Sequence, residues 1–270
     1  MLQNLHTHTT FCHGLNTPEE LVIEAIERGF DGIGFSSHAS SSYTDLGSRA
    51  DVYIKDVLRV KKKYKERIKV FLGIELDYYS TGYIDPTPYE YRIGSVHSSV
   101  IDNTTVEAPF DFDYETSKRA LLEIFGGNGI KYAAEYYRRV AEMPNVFDYE
   151  IVGHFDLVSK FNESYPPLFD ESDKAYRSIA LEALHAVREK REIFEVNTGA
   201  IARKVRTTPY PAPFILEEMK RLNCKLILSS DCHDKKDMTA GFAEALELIR
   251  SVGFEEIYYL GENGFFGEKI

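Results

Sequence analysis

Tryptophan is absent from the 270 residues, and cysteine is scarce, with three residues and no CxxC pair. An odd, unpaired set of thiols argues against a disulfide framework and against a structural zinc site built on paired cysteines. Basic charge is also short. The 32 Lys and Arg stand against 43 Asp and Glu, a net −11. A general nucleic-acid binder is therefore not expected, because neutralising a polynucleotide takes a surplus of cations. A small phosphate ester stays open as a partner, since bound metal ions invert the sign of a site. No apolar run approaches the roughly 20 residues that a membrane helix needs. The start MLQNLHTHTT has neither the charged head nor the apolar centre of a signal peptide. The expectation is a cytoplasmic protein with no membrane partner.

What is present fits a folded α/β chain. Hydrophobic residues make up 43% and charged residues 28%, an ordinary balance for a protein with a sizeable core. Short apolar runs rich in β-formers alternate with segments of helical period, the pattern of repeated βα units on a parallel sheet. Strands are expected near residues 3–6, 32–36, 70–76, 92–97, 150–154, 193–197 and 226–230. The run 257–260 is either an eighth strand or a closing tail. Thr17-Pro18-Glu19-Glu20 supplies a cap, an early proline and early acids for a helix that ends at Gly29. Further helices are expected over 51–67, 172–190, 211–222 and 238–251. One barrel domain, 1–270, is the expectation. It carries a long excursion at about 98–149, with acids at Asp111, Asp113 and Glu115 and a Gly126-Gly127-Asn128-Gly129 break. Long connections in barrels are often lids or specificity loops, though a packed helical excursion is the plainer alternative.

The informative feature is where histidine falls. Of 8 histidines, His6, His8, His13, His38, His97, His154 and His233 lie at or just after the C-terminal end of an expected strand. Glu75 and Asp231 keep them company. In a barrel of parallel strands those ends converge on one face. A lone strand histidine is more often a satisfied structural residue than a ligand, but seven at one class of position with acids interleaved form a joint pattern. His185, inside the 172–190 helix, is the structural exception. Imidazole with carboxylate suits zinc, iron or manganese. Nine nitrogen and oxygen ligands exceed what one ion can use, so a multinuclear site is expected, with Glu75 as a bridging carboxylate.

The motifs His6-Thr7-His8, Phe11-Cys12-His13-Gly14, Ser37-His38, Gly73-Ile74-Glu75, Gly94-Ser95-Val96-His97, Gly153-His154-Phe155-Asp156 and Ser230-Asp231-Cys232-His233 resemble, in order, those of the PHP (polymerase and histidinol phosphatase) superfamily. The resemblance implies a distorted (β/α)7 barrel, TIM-like, with the metals at the C-terminal ends of the strands. It also implies two or three divalent ions (zinc, iron or manganese). His6, His8, Glu75 and Asp231 would hold the first, Glu75, His97 and His154 the second, and His13, His38 and His233 the third. Many members carry Asp where this chain has His13, and an Asp-His pair where it has Ser37-His38. Within the superfamily, Glu195-Val196-Asn197-Thr198-Gly199, the basic residues after it and Pro209-Tyr210-Pro211 resemble the histidinol-phosphate phosphatase branch. That branch hydrolyses L-histidinol phosphate, a phosphomonoester of histidine biosynthesis. Competing functions are a nucleotide phosphatase or exonuclease, a phosphotyrosine phosphatase, or a non-catalytic metal-binding module such as PHP domains fused to polymerases.

The mechanism expected from the resemblance is in-line attack on phosphorus by a water activated between two metals. A general acid then serves the poor alkoxide leaving group, with Asp231 and His233 as the candidates. Arg203 and Lys160 are the preferred phosphate-binding residues, with Arg206 a third candidate; a solvated charge run is the alternative. Asp156 and Asn197 are expected to hold metal ligands from behind. Cys12 and Cys232, beside ligand positions, are read as small packing residues, and Cys224 as core. The acidic surface and the long excursion could receive the ammonium and imidazole of the substrate.

Overall fold

Strands buried on both faces are near-continuous apolar runs, because helices cover one side and packed side chains fill the other. The computed structural model describes residues 1–39, 46, 49–80, 85, 87–102 and 104–270. In chain order come β1 (Gln3–Asn4), α1 (Pro18–Glu27), β2 (Gly32–Phe35), α2 (Ala50–Tyr64), β3 (Lys69–Asp77) and β4 (Tyr91–Ser95). The excursion follows: a small hairpin of β5 (Ser98–Val100) and β6 (Glu107–Pro109), then α3 (Tyr114–Glu123) and α4 (Gly129–Val146). The chain continues with β7 (Ile151–Val152), α5 (Lys174–Arg188), β8 (Ile193–Asn197), α6 (Gly199–Ala202), α7 (Pro213–Arg221), β9 (Lys225–Ser229) and α8 (Phe242–Val252). It ends in a hairpin of β10 (Glu256–Gly261) and β11 (Gly264–Lys269).

Seven strands lie parallel in the order β1-β2-β3-β4-β7-β8-β9. The two ends of this sheet meet. Thr7 pairs with Cys232, the His8 N–H donates to the Cys232 carbonyl at 2.9 Å, and Asn4 Nδ2 donates to Ser230 Oγ at 2.6 Å. The result is a nearly closed, distorted (β/α)7 barrel, as the motifs implied. Its interior is filled by Leu5, Phe71, Tyr91, Ile93, Ile151, Ile193 and Ile227, with Leu260 below them. Tyr91 explains two glycines inside strands: a Cβ on Gly73 would sit 2.2 Å from its ring, and one on Gly34 2.4 Å from its hydroxyl.

The strand expected at 3–6 stops at Asn4, and two further strands end short of the expected His97 and His154 for one shared reason. Strand pairing stops at Ser95 and at Val152 because the residues beyond turn to side chains. The His97 N–H donates to Asp77 Oδ2 at 3.1 Å and the His154 N–H to Glu195 Oε2 at 2.8 Å. The run at 257–260 is the closing tail. Among the described residues it pairs only with β11, antiparallel, and the Gln3 side chain clasps the Leu260 backbone through both its N–H and its carbonyl. α1 starts at the cap expected at Thr17, which closes a reciprocal capping box with Glu20. Among the described residues no helix is long and apolar enough to cross a membrane.

Candidate metal centre

Side chains alternate along a strand, so β3 sends Phe71 and Gly73 to the packed interior and Glu75 and Asp77 to the layer above it. Glu75 is wholly buried and is the hub of the site. Its Oε2 lies 3.3 Å from His6 Nε2, 3.5 Å from His8 Nε2 and 2.8 Å from His38 Nδ1. Its Oε1 lies 3.1 Å from His154 Nε2 and 3.4 Å from His97 Nε2. Asp231 completes the far side, with Oδ1 3.1 Å from His8 Nε2 and 3.7 Å from His6 Nε2. His13 and His233 meet above it with their Nε2 atoms 2.7 Å apart. The rings of His8 and His38 stack over a 4.4 Å centroid separation, and those of His8 and His233 over 4.2 Å. All nine sequence-selected ligands therefore converge.

Among the described residues, four triads have candidate ligand atoms within 4.8 Å of one another: His8-His38-His233, His6-His154-Asp231, His6-His8-Glu75 and His38-Glu75-His97. His6 Nε2, His8 Nε2 and Glu75 Oε2 are buried, and although nitrogens and oxygens crowd them, none meets a partner in hydrogen-bond geometry. Orphaned polar atoms of this kind are costly in a protein interior, and lone pairs that converge in this way are what a bound cation would satisfy. The donors, imidazole nitrogens and carboxylate oxygens, suit zinc, iron or manganese. Burial opposes ionisation of Glu75, but His38, His6 and His97 together hold its carboxyl well below the usual range. The carboxylate is therefore charged, the form that binding a cation requires.

The residues behind the ligands are the part that motif spacing missed. Glu195, fully buried on β8, receives His6 Nδ1 at 2.7 Å and the His154 N–H at 2.8 Å. Asp77 Oδ2 receives His97 Nδ1 at 2.9 Å. Both lie two residues from a position already singled out, on the same strand face, so alternation was the signal that could have found them. The expected partners Asp156 and Asn197 do not touch a ligand side chain. Asn197 donates to Glu195 Oε2 at 3.0 Å. Asp156 is sunk between the hydroxyls of Tyr137 and Tyr176, at 2.6 and 2.7 Å. Cys12 is half-buried with Sγ 3.5 Å from His8 Nδ1, while Cys224 and Cys232 are buried. His185 pairs with Glu218 on an exposed helix face.

The ligands open onto a cavity of about 530 Å³ that is also lined by Lys160 and Arg203. Arg203 NH2 donates to Asp231 Oδ2 at 3.1 Å. Lys160 Nζ donates to the Asp111 carbonyl at 2.6 Å. Arg206 is turned elsewhere, to Glu171 at 2.9 Å and to the Ser159 carbonyl, and is not part of the lining.

Comparison with known proteins agrees with this geometry. The PHP domain family model matches residues 4–199. The histidinol-phosphatase of Bacillus subtilis is 28% identical over 266 residues, covering 90% of this chain and 97% of its own. A crystal structure from Listeria monocytogenes superposes with a TM-score of 0.79 at 22% identity, over 90% of this chain and 99% of the other. Histidinol phosphate phosphatase from Lactococcus lactis, crystallised with zinc, L-histidinol and phosphate, gives 0.72 at 22% identity over 98% of each chain. These two structures share the fold of the barrel described above.

Proposed function

The chain belongs to the PHP domain family, and on that premise we propose that it is a metal-dependent phosphomonoesterase that hydrolyses L-histidinol phosphate to L-histidinol and phosphate. The observation that carries this reading is the set of buried, unpartnered atoms of His6, His8 and Glu75, set beneath His13, His38, His97, His154, Asp231 and His233, which line a cavity that also bears Arg203 and Lys160. The names of its relatives and the molecules bound in the Lactococcus structure support the choice of substrate.

Two or three divalent ions (zinc, iron or manganese), held by His6, His8, His13, His38, Glu75, His97, His154, Asp231 and His233, would supply Lewis acidity toward the phosphoryl oxygens and the attacking water. The chain's own groups do the rest. Arg203 and Lys160 orient the phosphate dianion by charge-assisted hydrogen bonds. Burial disfavours a charge on Asp231, yet the Arg203 guanidinium and His6 hold its carboxyl well below the ordinary value. An ionised Asp231 is a proton acceptor first. Having taken the proton of the attacking water, it becomes the acid that returns one to the departing alkoxide. His233 is kept neutral by burial and by His8. Its Nδ1–H donates to the Asp231 carbonyl at 3.0 Å, which leaves Nε2 as a ligand atom.

The test is a turnover screen of metal-loaded protein against histidinol phosphate, nucleotides and phosphotyrosine, with exhaustively chelated protein alongside. Phosphate release should be fastest from histidinol phosphate and should vanish on chelation. A preference for nucleotides or phosphotyrosine replaces the substrate assignment. Full activity after chelation removes the metal-dependent class.

A further inference from the structure

One wall of the cavity takes no part in holding metal. It comes from the excursion between β6 and α3, where Asp111 and Phe112 line the cavity beside Lys160. Phe112 leaves 72% of its surface exposed at the lip, while the Asp111 side chain is mostly covered, with 26% exposed. Asp111 belongs to none of the candidate metal triads among the described residues. Its carboxylate is held loosely. Lys160 Nζ reaches Oδ2 only at 3.4 Å while bonding the backbone carbonyl of the same residue at 2.6 Å. No other side-chain bond to this carboxylate is found among the described residues.

We propose that Asp111 selects phosphomonoesters whose alcohol carries a positive charge close to the ester oxygen. This rests on the phosphatase reading above and deepens it. Lys160 stands between two anions, Asp111 and the phosphate that the cavity receives. When phosphate draws the ammonium of Lys160 toward itself, the mostly covered Asp111 carboxylate loses its nearest counter-charge. A cationic group on the alcohol restores it; a neutral alcohol leaves the mostly covered carboxylate under-paired. A substrate carrying both charges therefore matches a cavity carrying Lys160 and Asp111, and one carrying phosphate alone satisfies half of it. Leaving a largely covered charged group without its partner costs enough to set a preference of roughly 10-fold or more. L-histidinol phosphate has its ammonium on the carbon next to the ester methylene, and Phe112 offers its exposed ring face to the heterocycle beyond.

The experiment compares kcat/KM for two matched pairs: phosphoethanolamine against ethyl phosphate, and histidinol phosphate against the same ester lacking its amine. Wild-type, metal-loaded enzyme should favour the aminated member of each pair by about 10-fold or more. In Asp111→Asn that ratio should fall toward one, with metal content and circular dichroism as in the wild type. Asp111→Glu, which keeps the charge, should retain part of it. A ratio that Asp111→Asn leaves intact overturns the proposal. So does a wild-type enzyme that treats both members alike, a result that needs no variant to fold. Failure of the wild type on every phosphomonoester would instead sink the phosphatase reading itself.

Discussion

Glu195 Oε1 lies 2.7 Å from His6 Nδ1, on the side of the ring turned away from the other ligands. The remaining partners of this carboxylate are all donors: the Ser229 hydroxyl, the His154 N–H and Asn197 Nδ2. His6 Nδ1 must then carry a hydrogen as well, and the lone pair of Nε2 faces Glu75 and Asp231. One buried acid thus fixes the orientation of His6 by its side chain and that of His154 by its backbone.

Glu195→Gln should therefore weaken metal binding although residue 195 touches no metal site directly. Loss of such a hydrogen-bond partner typically lowers affinity by roughly 10- to 100-fold. Competition with a chromophoric chelator measures it. Unchanged affinity would make Glu195 a residue of the fold alone.

Glu75→Gln keeps the shape of the hub but removes its charge. Because five imidazoles lie within 3.5 Å of this carboxylate, at least one ion per chain should be lost by elemental analysis. The fall in kcat should exceed the roughly 10- to 100-fold expected for an outer hydrogen-bond partner. Full metal content in the variant would remove Glu75 as a bridge.

Arg203→Ala should raise KM roughly 10-fold or more, the scale of one hydrogen bond to a charged group. An unchanged KM would take Arg203 out of phosphate binding. Because the same guanidinium contacts Asp231, kcat should fall as well, and Arg203→Lys should recover more of kcat than of KM.

Asp156 supplies a pH test away from the chemistry. Burial pushes its carboxyl from 3.8 up to about 6, against the hydroxyls of Tyr137 and Tyr176. The folded protein then binds more protons than the unfolded chain between those values, so this group's contribution to stability falls as pH rises from about 4 to about 6 and is level above. Asp156→Asn abolishes that titration, and its amide nitrogen cannot accept from Ala212 as Oδ2 does at 3.2 Å, a penalty that does not vary with pH. The unfolding free energy of the variant minus that of the wild type should move in the variant's favour across the window, by about 1.4 kcal/mol per unit. Urea titrations at several pH values measure it; a difference flat with pH means the carboxyl titrates normally.

The barrel and its ligands were legible in the chain because both follow from local rules. Apolar runs separated by helical periods dictate parallel strands, and a histidine or acid placed just past such a run must come to the shared mouth whatever lies between. His6, Glu75, His154 and Asp231 meet for that reason. The ends of β4 and β7 were not legible, because the His97 and His154 N–H groups leave the ladder for carboxylates on other strands. Nor was the rear of the site. Asp156 and Asn197 had the right spacing, but Glu195 and Asp77 have the contacts, because a hydrogen bond needs its two atoms within about 3 Å, and residues on one strand face do not all come that close to the same ligand.

The basic residues divide in the same way. Arg203 and Arg206 are alike on paper and only three positions apart, yet one reaches Asp231 and the other Glu171. Sequence determined which chemistry would gather at the barrel mouth, since strand direction and residue type suffice for that. The tertiary structure alone decided which side chains stand behind the ligands, which cations face the cavity and that Asp111 shares its wall, because those choices depend on packing between segments far apart in the chain.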